Sequence, residues 1–209
     1  MHKVFISYHH KNDQTYKNYL VDLNKSFDIF IDKSVNTNDI SDSLTPQTIR
    51  RKIRDEYLKD STVTILLVGT ETQYRKHIDW ELKSSMIDGQ INKKSGILVI
   101  TLPSLNCTSW ITAHAGEKEK IYREFHNWRE IETKSAEAQN FSAMPERIID
   151  NIVNPNANIS IVPWDRIENN PKNLAWLIEA TANSRRTNAY DLILPMQMRD
   201  YNRPFASFI

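Results

Sequence analysis

Glycine is scarce in this chain. With four glycines in 209 residues it contains neither G-x-G-x-x-G nor G-x-x-x-x-G-K-[ST], so the usual glycine-rich cradles for dinucleotides and nucleoside triphosphates are excluded. The single cysteine, Cys107, cannot close an internal disulfide, and no CxxC or Cys/His cluster has zinc spacing. A G-x-S-x-G elbow and an HExxH helix are also missing, which argues against serine-nucleophile and metal-dependent hydrolysis, so no metal is expected. Neither sign of charge dominates. Charged residues make up 25% of the chain and the formal net charge is +1, so no global basic field would draw it to nucleic acid and no acidic run suggests a disordered tail. The longest apolar runs fall far short of the ~20 residues of a membrane helix, and the start, Met1-His-Lys-Val, lacks the apolar core of a signal peptide. These absences lead to the expectation of a cytoplasmic protein with no nucleic-acid or membrane partner.

What is present is a repeating pattern of buried strands and amphipathic helices. Residues 3–8 (KVFISY) form a short run of branched and aromatic residues that ends in the polar His9-His10-Lys11-Asn12. Tyr16, Leu20 and Leu23 then recur at helical spacing behind Asn12 or Asp13 as N-cap, to about Ser26. Residues 27–32 (FDIFID) read as a second strand, and residues 33–44 are polar and aperiodic. Thr45-Pro46 supplies a cap and a proline for a helix with Ile49, Ile53 and Tyr57 on one face. Residues 62–69 (TVTILLVG) are a third strand, Ile78, Leu82 and Met86 are the buried stripe of the next helix, and residues 96–102 (GILVITL) are a fourth strand. This order favours a parallel sheet with right-handed crossovers and helices on both faces. Beyond Pro103 the pattern loosens. Ile121, Phe125, Trp128 and Ile131 suit a helix, residues 158–162 a fifth strand, and Asn170-Pro171 opens a last helix carrying Leu174 and Leu177. In the tail, residues 188–209, Leu192, Leu194, Met196 and Met198 alternate. Such a segment is expected to dock on the domain or on a second copy. The expected organisation is an α/β domain over 1–165, with a helix and packed tail over 166–209.

Glu81 is the polar residue that its position singles out. It lies on the helix entered from the carboxyl end of the 62–69 strand, and open α/β sheets bind ligands just beyond such strand ends. His77, Glu81 and Ser85 form a polar strip beside the apolar stripe, and no Lys or Arg three or four residues away offers Glu81 a local ion pair. By the same edge argument Ser7, Tyr8 and His9 leave the first strand, and Asp32 the second, where a ligand would lie. Each has an ordinary alternative: a satisfied strand residue, a packed aromatic, a solvated loop histidine and a turn residue, respectively. His77 is one turn from Glu81 and has the same ambiguity. The cluster Arg50-Arg51-Lys52 with Arg54 reads as a solvated helix face, or as an attractor of phosphates.

Three segments together resemble a known family. KVFISY with its polar loop resembles the first conserved box of TIR domains, and the polar stretch after FID resembles their BB loop. Arg75-Lys-His-Ile-Asp-Trp-Glu-Leu82 resembles the helix on which a tryptophan precedes a catalytic glutamate by four residues. The sequence departs from that motif at His77, which stands at the tryptophan position, while Trp80 points elsewhere on the helix. The long C-terminal region makes the chain look most like the TIR component of the Thoeris anti-phage defence system. The resemblance implies a flavodoxin-like TIR fold with a parallel sheet of about five strands, Glu81 as the glutamate that cleaves NAD+, and nucleotide contacts from Ser7, Tyr8, His9, Asp32 and His77.

It also implies partners. NAD+ would be the substrate rather than a resident cofactor, copies of the chain would associate through the BB-like loop, and a diffusible nucleotide would reach a separate effector. One carboxylate is compatible with this chemistry, because nicotinamide leaves as a neutral group and needs no general acid, unlike an ordinary glycoside. Water as acceptor would give ADP-ribose, and an internal adenine or ribose group would give a cyclic isomer. Two other readings stay open: a non-catalytic TIR-type interaction module in which Glu81 is incidental, and a deoxyribosyltransferase-like enzyme using the glutamate as covalent nucleophile.

Overall fold

The apolar runs become the strands of one sheet. The computed structural model describes residues 1–34, 44–89, 92–125 and 130–200. Strands β1 (Lys3–Ser7), β2 (Ile31–Asp32), β3 (Val63–Val68), β4 (Gly96–Thr101) and β5 (Ser160–Pro163) pair in parallel in the order β2-β1-β3-β4-β5. This is the flavodoxin-like strand order, whose switch point lies between the first and third strands. Both β3 and β4 are buried along their whole length, because a parallel sheet covered on both faces tolerates apolar residues at every position.

Helices cover both faces. They are α1 (His10–Phe27), α2 (Pro46–Lys52), α3 (Lys76–Met86), α4 (Glu117–Ile121), α5 (Lys134–Asn140), α6 (Glu146–Ile152) and α7 (Pro171–Ser184). Strand side chains alternate between the faces. Val4, Ile6, Ile65, Leu67, Leu98 and Ile100 pack with Leu20 of α1 and with Leu174, Leu177 and Ile178 of α7. Leu66, Val68, Ile97 and Val99 pack with Ile78, Leu82 and Met86 of α3 and with Ile148, Ile149 and Ile152 of α6. A third cluster joins Phe5 to Ile49, Ile53, Trp80 and Met196. Gly96 starts β4 where α7 crosses it so closely that a Cβ there would meet the Thr181 carbonyl oxygen at 2.3 Å.

The helix caps of α2 and α7 match the sequence reading. Thr45 accepts the Thr48 N–H at 3.3 Å with Pro46 at the first turn, and Asn170 accepts the Asn173 N–H at 3.4 Å ahead of Pro171. Other boundaries differ. The N-cap of α1 is His9, not Asn12 or Asp13, so the helix starts earlier and Asp13 lies in its first turn. It also runs on through Phe27 and stops at Asp28, which adopts φ 52°, so the second strand keeps Ile31 and Asp32 alone of the expected six. Continuing α2 is a π-helical turn, Ile53–Tyr57. Of the helix expected over 121–131, α4 ends at Ile121, Ile131 is exposed, and Trp128 lies outside the described residues. Helices α5 and α6 were not apparent in the sequence. Most of the BB-like loop, 35–43, and the end of the tail, 201–209, also lie outside the described residues. Among the described residues, no helix is long and apolar enough to cross a membrane.

Residues 188–200 lie against the domain without forming a strand. Asn151 exchanges bonds with the backbone of Asp191, Lys83 Nζ donates to the Leu192 and Leu194 carbonyls, and Arg147 donates to those of Leu194 and Pro195. Side chains of α3 and α6 thus supply what a neighbouring strand would otherwise provide.

Candidate functional site

The carboxyl edge of β1 and the middle of α3 meet at one hydrogen bond. Ser7, the last residue of β1, donates its hydroxyl to Glu81 Oε2 at 2.6 Å, and the two residues are 1% and 4% exposed. A hydroxyl-to-carboxylate bond of that length is charge-assisted and fixes the orientation of the carboxyl group. The choice of face follows from the helix period. Ile78, Leu82 and Met86 point into the sheet, and Glu81, between His77 and Ser85 around the helix, is carried to the strand ends. Ser85, the third member of the polar strip, is buried and shares a 2.8 Å hydroxyl contact with Thr64.

The opposite side of α3 is anchored. Asp79 takes a 2.7 Å ion pair from Arg147 Nε and accepts the Gln197 N–H at 2.8 Å, while Trp80 Nε1 donates to the Gln197 carbonyl at 2.6 Å. Farther along, Asp200 accepts the Lys76 N–H at 3.0 Å at the start of the helix. The tail therefore clamps the helix that carries Glu81. Trp80 is fully buried beside Phe5 and Met196, away from the strand ends, as expected from its place beside Glu81.

The remaining sequence candidates fall around Ser7 and Glu81. Tyr8 is buried, stacks on His10 with ring centroids 4.4 Å apart, and donates its phenol to Gln14 Oε1 at 2.8 Å. Burial pushes the phenol pKa up, the Gln14 bond opposes this, and the Glu81 and Asp32 carboxylates add to the rise, so both carboxylates act on the phenol. Asp32 is exposed on the edge strand and accepts the Ser34 N–H at 2.8 Å, which is the turn role it had as an alternative. His9 is nearly buried, not a solvated loop residue, with Nδ1 3.9 Å from Glu71 Oε2. Its pKa is lowered by burial and then by Arg75. His77 is half-buried one turn before Glu81 and meets Trp80 edge-on at 4.8 Å.

Two residues that the sequence did not single out also belong to this edge. Asp13 is buried, and burial raises its carboxyl to about 6, with nearby Glu71 adding to the rise. Gly69 follows β3 directly, and a Cβ there would lie 2.5 Å from Asp13 Oδ1. A side chain there would have to displace the Asp13 carboxyl group. The place of Gly69 after a buried strand, in a chain with four glycines, was the available signal. Glu71 is ion-paired with Arg75 beside them.

Residues 5–107 match the family described as the Thoeris protein ThsB, TIR-like domain. This segment belongs to that family. The match runs from within β1 through β4 and includes Ser7, Asp32, His77 and Glu81, so the carboxyl ends of these strands around the Ser7–Glu81 bond lie within the matched segment. The elements from α4 to the tail lie beyond the matched segment, although α7 shares the sheet's core. No curated protein sequence gives a significant match. The family supports a TIR protein of anti-phage defence.

Proposed function

We propose that the TIR-like domain cleaves the nicotinamide–ribose bond of NAD+ and hands the ADP-ribosyl group to an acceptor, producing a signal nucleotide for a separate defence effector. The observation that carries this reading is the buried Glu81 carboxylate, held by the Ser7 hydroxyl at the carboxyl edge of the sheet. In that position a carboxylate can accept bonds from ribose hydroxyls and face the ribose carbon as its bond to the pyridinium nitrogen stretches. The electron pair leaves with nicotinamide, which departs neutral, and positive charge develops on the ribose. A preorganised carboxylate stabilises that charge most where water is excluded. Water then adds to the ribose carbon and loses a proton, giving ADP-ribose, or an internal adenine or ribose group adds and gives a cyclic isomer. Tyr8, His9, Asp32 and His77 would contact the dinucleotide. The reaction calls for no resident cofactor. Copies of the chain would associate through the BB-like loop, and the product would diffuse in the cytoplasm.

Mass-spectrometric product analysis tests the proposal. Concentrated wild-type protein is incubated with NAD+, alone and in lysate of infected cells, beside the Glu81→Gln variant. Nicotinamide with ADP-ribose or an isomer of it, from wild type alone, is the expected result. Intact NAD+ in every sample would overturn the proposal and favour an assembly module.

A further inference from the structure

The opposite edge of the sheet holds a second, differently charged recess. A cavity of about 360 Å³ opens where β1 and β3 begin, and Lys3, Arg54, Ser61, Asn92, Lys93 and Arg185 contribute to its walls. Because β1 has five residues, at ~3.3 Å each, Lys3 and Ser7 stand roughly 13 Å apart and the recess is separate from Glu81. Four of its side chains are cationic. The one acid in the wall, Asp60, is bonded to Lys3 Nζ at 3.2 Å.

Arg54 is the decisive residue. The sequence offered a solvated helix face or an attractor of phosphates for its cluster, and in the structure Arg54 is 2% exposed, on the π-helical turn that continues α2. Turns of this kind are rare and recur at functional sites. Its Nη1 donates to Ser95 Oγ at 3.4 Å and its Nη2 to the Lys93 carbonyl, while Nε is buried with no partner. Asp55 and Asp88 act on Arg54 only from a distance. Asp55 accepts from Asn92 Nδ2 at 3.5 Å and Asp88 from the Lys94 N–H at 3.0 Å, and neither forms an ion pair with Arg54. Burial lowers the guanidinium to about 10, so it stays charged at neutral pH. The Ser61 hydroxyl, in the same wall, is also buried without a partner. An unpaired buried cation and an unsatisfied hydroxyl both cost stability that an anion with several oxygens would offset.

We infer that this recess is a second binding site, taking a phosphate-bearing anion between Arg54, Ser61, Lys93 and Arg185. Its volume falls in the range of small-molecule sites, so the phosphate could be free or carried by a nucleotide. The inference is independent of NAD+ cleavage, and its test reads binding alone. The full chain is titrated with inorganic phosphate and with ADP at constant ionic strength, by calorimetry and thermal melting, with chloride as reference. Saturable binding with a raised melting temperature is expected. Tighter binding of ADP than of phosphate would assign the site to a nucleotide, and equal binding to the phosphate group alone. Arg54→Met should bind at least tenfold more weakly. Arg185→Gln changes a more exposed wall residue, so it keeps the test valid if Arg54→Met fails to fold, and it should weaken binding several-fold. Phosphate and ADP behaving like chloride, or undiminished binding by Arg185→Gln together with a folded Arg54→Met, would overturn the inference.

Discussion

Asp79 and Glu81 are two residues apart on α3 and both are buried, yet their surroundings have little in common. Asp79 faces α6 and the tail, where a fully buried guanidinium and a backbone N–H match its charge. Glu81 faces the strand ends and is held by a neutral hydroxyl. A carboxylate paired with a cation on the side of the helix away from the strand ends is a fastening. A carboxylate fixed by a hydroxyl at the edge where α/β sheets bind ligands is oriented toward the place a cationic centre would take. One helix thus carries a structural acid and a proposed catalytic acid, and the tail that grips the first also holds the second in place.

Removing Arg147 breaks the comparison on its structural side. Arg147→Ala leaves Asp79 buried without its cation and releases the Leu194 and Pro195 carbonyls, so stability should fall by about 3–5 kcal/mol, read by urea denaturation. Glu81→Gln breaks it on the other side. Turnover of NAD+ should drop by about 10²–10³-fold, the scale for losing one electrostatic stabiliser, with the urea midpoint nearly unchanged. Ser7→Ala sharpens the contrast, because it removes the hydroxyl but keeps the carboxylate. Loss of one charge-assisted bond, worth about 1.5–3 kcal/mol, should lower turnover by roughly 10-fold or more while the protein still folds. A different kind of effect is expected at Asp13, read as a pH dependence. Its folded carboxyl titrates at about 6, above the unfolded value of roughly 4, so the native state holds a proton that the unfolded chain releases. Stability from this group should therefore fall as pH rises from about 4 to 6 and then level off, and Asp13→Asn should flatten that part of the profile.

Much of the sheet was legible because its determinants are local. The runs that became β1, β3 and β4 are mostly apolar, and Thr45-Pro46 and Asn170-Pro171 carry their caps in adjacent residues. The second strand reads longer in sequence because FDIFID is rich in aromatic and branched residues, while its first residue completes α1 and Asp28 takes the left-handed conformation that ends the helix. Alternation in the tail suggested an extended segment, but what holds it is Arg147, Lys83 and Asn151, roughly 40 to 110 residues away and without any local signal. In the site, Glu81 was visible from its place after a buried strand. Its partner Ser7 is 74 residues away and could be joined to it only by the β1–β3 pairing. Asp13 was hidden because an acid near a helix start reads as a cap, and only the close passage of Gly69 reveals a buried carboxyl group.

The most direct measurement places the two acids side by side. Glu81→Gln and Asp79→Asn are assayed together for NAD+ consumption and for thermal midpoint. The account predicts that the first loses turnover and keeps its midpoint, while the second loses several degrees and, where still folded, turns over NAD+. Turnover by Glu81→Gln equal to that of wild type would contradict it.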